Sequence, residues 1–297
     1  MATTLNSVNI TTAYGLVPSR AASSNISIEG AWSMPERVGE CFHSWAENDA
    51  VEAFVSADDI RFGGRDLTLH ASIFGTNAEI RGHLSDLFSA VRAFTAPVVL
   101  ASQYGSFSVI VKSIVPEMLH GAAKVVLTFR EPTVTLTGGT LPAVAASLNT
   151  FDGIPFSSFG FYFSGARELD SLPEMKEQFF TSYATEGYQL TKRESNNFEL
   201  NGFILATSLA DFNSKILALY KLFSSAGVRN VKLNDEVNIE CFAKDGFQVS
   251  DVIVHSSGVI ARFTISLMAS KIPYNIYYLV DEDGTFILSE NGNYITI

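Results

Sequence analysis

Side chains that could do chemistry are few in this chain and poorly placed for one another. The five histidines, His43, His70, His83, His120 and His255, are scattered along the sequence and read as structural or surface residues. Cys41 and Cys241 stand far apart, with no CxxC or Cys/His cluster near either, so they read as small buried apolar residues rather than a disulfide or a zinc site. Asp281-Glu282-Asp283-Gly284 looks superficially like a calcium loop but lacks the other acidic ligands and the closing Glu; a hairpin turn is the simpler reading. Asp58-Asp59 reads as a solvated turn. No GxGxxG opens a helix after a strand, and GxxxxGK[ST], HExxH and GxSxG are all absent. The sequence therefore assigns no catalytic, cofactor-binding or metal residue, and no enzyme is expected. An active site would have to be assembled from distant residues, which spacing does not reveal.

What the chain does contain is a repeated element. Thr76 and Glu79 form a capping box, and Ile80, Leu84, Leu87, Phe88 and Val91 follow on one helical face. At one constant offset the pattern returns as Ser208, Asp211, Phe212, Ile216, Leu219, Tyr220 and Phe223, although most identities differ. A repeat of physical pattern at this scale implies two copies of one domain. The helices differ at Leu217 and Leu222, which replace Ser85 and Ala90 and widen the second apolar band. That band fits a thicker local core, or an interface covered by another subunit or by the C-terminal segment. Leu217 and Leu222 are accordingly the candidate interface residues.

Around each helix the alternation of apolar and polar residues predicts strands. In the first copy they are Leu67–Ile73, Pro97–Ala101, Phe107–Val115 and Lys124–Arg130, with Pro116–Gly121 as a break and a further strand at Val51–Val55. In the second they are Phe156–Phe163, Phe198–Leu205, Val237–Cys241, Phe247–Val254 and Val259–Met268, with Met175–Thr181 as a short helix or loop and Gly227 as helix C-cap. Residues 1–23, rich in Ser, Thr and Ala, predict a flexible arm. The expected organisation is an arm at 1–23, a first domain at 24–132, a linker at 133–150, a second domain at 151–268 and a β-meander at 269–297. In it Phe151-Asp152-Gly153-Ile154 opens the second copy as Glu29-Gly30 opens the first. The fold class is mainly β (α+β): two tandem β-sandwich or barrel domains, each with a flanking helix.

Of the 297 residues, 47% are hydrophobic and only 17% charged, which leaves few charges to cover an exterior and points to surface buried against other subunits. The net charge of −11 argues against gripping nucleic acid through its phosphates. The first residues lack the basic start and apolar run of a secretory signal, and no apolar run approaches the roughly 18 residues of a membrane helix. A soluble protein made in the cytoplasm is expected.

Both copies resemble the tube-forming domain of tailed-phage tail proteins, the group of tail tube, distal tail and baseplate hub proteins. The resemblance rests on the Leu67–Ile73 strand, the capped helix with its leucine and aromatic stripe, the hairpin at Gly105-Ser106-Phe107-Ser108-Val109, and the closing strand ending Phe129-Arg130-Glu131-Pro132. The segment Phe151-Asp152-Gly153-Ile154-Pro155-Phe156-Ser157-Ser158-Phe159-Gly160, with Met175-Lys176 downstream, adds to it. The resemblance implies a virion protein assembled in the host cytoplasm, without cofactors and off the membrane, in a ring with other tail or baseplate proteins. DNA would pass through that ring without specific binding. Rings of this family commonly hold six tube domains, which for a duplicated chain implies a trimer with pseudo-six-fold symmetry; a hexamer is the alternative. The competing reading is a two-domain β-rich module that recognises a host surface molecule.

Overall fold

Both helices form where their caps place them. The Thr76 hydroxyl accepts from the Glu79 N–H, and the Glu79 carboxylate accepts from the Thr76 N–H at 2.8 Å, completing the box. Ser208 accepts from the Asp211 N–H at 3.1 Å, while Asp211 turns back to the N–H of Thr207 at 2.8 Å. The helices span Asn77–Arg92 and Leu209–Ser224, and Ile80, Leu84 and Leu87 are buried in one as Phe212, Ile216 and Leu219 are in the other.

The computed structural model describes residues 2–45, 50–169, 171–173, 175–182, 185–234 and 237–271, with backbone alone at 175–182 and 185–192. The protein is mainly β. The first half contains β1 (Thr4–Leu5), β2 (Val8–Asn9), α1 (Ile10–Tyr14), β3 (Val17–Pro18), β4 (Ile28–Glu29), β5 (Phe42–Ser44), β6 (Val51–Ala53), β7 (Arg65–Phe74), α2 (Asn77–Arg92), β8 (Val98–Ser102), β9 (Gly105–Leu119) and β10 (Ala122–Glu131). The second contains β11 (Thr150–Phe151), β12 (Ile154–Pro155), a 3-10 turn (Phe156–Phe159), β13 (Phe161–Arg167), β14 (Met175–Ser182), β15 (Thr185–Arg193), β16 (Asn197–Ala206), α3 (Leu209–Ser224), β17 (Arg229–Leu233), β18 (Val237–Phe242), β19 (Phe247–His255) and β20 (Gly258–Ala269).

The two large sheets share one strand order. The first runs β2-β1-β8-β9-β10-β7-β3, with β4 also on β7; the second runs β12-β11-β17-β18-β20-β16-β13, with β19 also on β20. Each opening strand pair leads into a short helical turn closed by a left-handed glycine, Gly15 at φ 63° and Gly160 at φ 67°. In the second sheet the place of β9 is taken by β18 and β19 together. Both pair with β20, and residues 243–246 loop out between them.

Several elements differ from expectation. Leu5, Ile10 and Leu16 are buried, and Thr4–Leu5 pairs with Leu100–Ala101, so the N-terminal stretch is built into the first sheet rather than forming an arm. The opening of the second copy, Thr150–Phe151, therefore matches Thr4–Leu5, while Glu29 matches Arg167: Glu29 faces Thr68 on β7 and Arg167 faces Glu199 on β16. Pro116 does not break β9. Among the described residues β9 pairs from Ile110 onward with β10 alone, so a residue without an N–H is tolerated on its other edge. Phe156–Phe159 is a 3-10 turn rather than strand, and Met175–Ser182 is a strand paired with Thr185–Arg193. The strand Arg229–Leu233 was not expected; it is the counterpart of β8. Helix α3 stops with an extended Ser225 at its C-cap, and Gly227, at φ 90°, donates its N–H to Val55 instead of capping. The meander expected at 269–297 falls outside the described residues from 272 on, together with Asp281-Glu282-Asp283-Gly284.

Candidate functional site

The most constrained chemistry in the molecule is a seam where the first half locks onto the second. The segment from Ser24 to Arg37 contributes β4 to the first sheet and, on either side of it, lies along the outer edge of β19 and the loop before it. Asn25 copies a strand there: its backbone N–H donates to Val252 O, its side-chain amide to Val254 O, and its side-chain oxygen accepts from Val254 N–H at 2.8 Å. Ser24 and Ser33 hydroxyls accept from Val252 and Val249, and the N–H groups of Met34 and Arg37 donate to Phe247 and Lys244. A sheet edge that would otherwise be an open template is covered from within the chain.

At the middle of the seam lies a buried polar knot. Arg65 and Glu131 pair at 2.7 Å, each side chain 9% exposed. A second nitrogen of Arg65 donates to the Ser33 carbonyl and to the Tyr220 hydroxyl, which in turn donates to the Ser33 carbonyl at 3.1 Å. Burial pushes the Tyr220 hydroxyl up to about 12. Tyr220 stacks on Phe247 at 5.4 Å, and Trp32 stands edge-on to Phe212, donating its indole N–H to Asn213 at 2.7 Å. Gly139 lies against the Leu217 carbonyl, where any Cβ would come within 2.0 Å.

These contacts explain the wide apolar band of α3. Leu222 is buried and Leu217 part-buried against the core of this chain. The histidines are dispersed: His70 meets Glu29 at 2.9 Å, and His43 packs on Trp45. Cys41 and Cys241 are free and buried, and burial drives the Cys241 thiol far above its usual range. Among the described residues no cluster of three or more His, Cys, Asp or Glu could hold a metal ion, and no helix is long and apolar enough to cross a membrane.

Among the described residues, the same seam geometry recurs unfilled in the first half. Sheet register makes the comparison: Ile114 faces Leu127, which faces Leu69, and Phe247 faces Ile265, which faces Leu200. Ile114 thus stands where Phe247 stands, and the helix offset puts Phe88 and Val91 where Tyr220 and Phe223 are. Phe88, Val91, Arg92, Val111 and Ile114 line an open groove of about 320 Å³, bounded by the free edge of β9. At the far end of the second half, Phe163, Gly165, Leu169, Leu233 and Val237 line a cleft of about 530 Å³, with Glu168 at its rim. Neither surface was legible in the sequence, because each depends on which edge the described residues leave uncovered.

No protein-family model matches the chain, and no curated protein matches it. Among solved structures it is similar to the crystal structure of SPP1 Dit (gp 19.1), described as a paradigm of the hub adsorption apparatus in phages infecting Gram-positive hosts. The two are 13% identical, the match covers 90% of this chain and 97% of that one, and the TM-score is 0.34. A likeness at that level identifies neither fold nor function.

Proposed function

We propose that the protein is a structural component of a phage tail, forming a ring of the tube, distal tail or hub type around a channel through which DNA passes. The observation that carries this reading is the pair of like sheets, each flanked by a capped helix, joined by a contact whose two sides differ. The first half offers one surface, the second half receives it with another. A heterologous contact of this kind, repeated, builds a ring if its rotation closes. The sequence resemblance to tube-forming domains supports the same reading. So do the scarcity of charge and the acidic balance, since a net negative wall repels a passing phosphate backbone. Three chains would supply six sheets, with first and second halves in alternate positions. The part requires no catalytic chemistry of its own.

The experiment is imaging of the full chain, purified alone and co-expressed with its tail partners. Rings with a central hole and six similar lobes are expected. Monomers throughout, with a ligand seated in one cleft, would instead support a module recognising a host surface molecule.

A further inference from the structure

We propose that the groove beside α2 and the cleft beside β13 are the two sides of one contact, made between this chain and a second copy of itself. The occupant of the groove is the second half of a neighbouring chain, and the template is the seam inside each chain. In the seam, the face of α3 that carries Asn213, Leu217 and Tyr220 and the edge of β19 receive the first half. The matching face of α2 carries Arg81, Ser85 and Phe88, and its matching edge is β9 from Ile110 to Leu119, which pairs with no strand on that side among the described residues. The donor sides match as well. The first half presents Glu29 to Met34 and the turn at Tyr104; by register Arg167, Glu168 and Leu169 follow the place of Glu29, and the turn at Asn234 matches that at Tyr104.

Differences between the two contacts suit association rather than permanent burial. Ser85 replaces Leu217 and Ala90 replaces Leu222, so the open helix face is less apolar and stays soluble in the free chain. Pro116 lacks the N–H that its counterpart Val249 donates to Ser33, so one edge bond is forgone. Arg81 and Arg92 border the groove and Glu168 lines the cleft, so Glu168 can pair with an arginine across the contact. The proposal rests on the ring reading only for closure; the contact itself needs no more than the duplication.

The test uses full-length chains blocked at one side each. Ser85→Trp/Ser89→Trp fills the groove from two exposed positions, and Gly165→Trp fills the cleft where a Cβ meets nothing within 4 Å. A Ser85→Glu/Ser89→Glu variant and thermal melts within a few degrees of the parent show that folding is intact. In sedimentation at rising concentration the parent is expected to associate. Each blocked variant should stay monomeric, while an equimolar mixture of the two should stop at a one-to-one dimer, since one free groove and one free cleft remain. A parent that is monomeric at every concentration, or a blocked variant that associates like the parent, overturns the contact. A one-to-one dimer in the mixture with no closed ring from the parent would uphold the contact and contradict the ring.

Discussion

Arg65 ties three parts of the seam together through one side chain. It neutralises Glu131 in a site where both are nearly buried, and it ties the Ser33 carbonyl to the Tyr220 hydroxyl across the seam. Removing one partner of a buried pair leaves the other charge uncompensated, at a cost of about 3–5 kcal/mol. Arg65→Met is expected to lower stability by that order in denaturant unfolding, and Tyr220→Phe by about 1–3 kcal/mol for the polar groups it strands. Carboxylates act at the opposite end of the pH scale. Hydrogen bonds from Thr76 hold Glu79, and those from Thr207 and Lys215 hold Asp211, below the usual carboxylate range. Because the folded values are depressed, this stabilisation is complete above the unfolded value of about 4 and is lost as pH falls through the folded ones. A melting series should decline on the acid side, and Glu79→Gln with Asp211→Asn should flatten that decline. An unchanged acid limb would remove these caps from the account. Tyr220 has the reverse sign: its raised value makes stability fall as pH rises from about 10 toward about 12.

Elements were legible where their signal is local. A cap and a stripe at 3.6-residue spacing announce a helix within one window, and the long strands β7, β10, β16 and β20 alternate strictly enough to be read. Two-residue strands have no period, so Thr4–Leu5 passed for an arm and Thr150–Phe151 was matched to the wrong partner. Met175–Ser182 contains good helix formers, and pairing with β15 overrides them. The docking of the Ser24–Arg37 strap on β19 carries no local signal, because those hydrogen bonds join residues more than two hundred positions apart. Two substitutions test these elements. Ile216→Asp places a charge in a site 1% exposed, at a cost of several kcal/mol against a whole-domain stability of about 5–15 kcal/mol. Since one apolar core runs through both halves, loss of the first half's fold as well is expected, read by hydrogen exchange over α2. Gly246→Ala pushes a Cβ to 2.3 Å from the Met34 carbonyl at a φ of 67°, and should loosen the strap while leaving the β7–β10 pairing protected.

The whole molecule is two copies of one plan joined by one directional contact, and among the described residues a groove beside α2 and a cleft beside β13 stand open. The duplication was visible in the sequence through its helices; the open surfaces were not, since the same residue pattern is buried in one copy and bare in the other. The measurement that bears most directly on the proposed ring is the native mass of the full chain as it assembles, alone or with a co-expressed neighbour. Three chains, imaged without imposed symmetry as six lobes of two alternating kinds, is the expected result. Six full chains in one ring, or a stable monomer beside its partners, would contradict it.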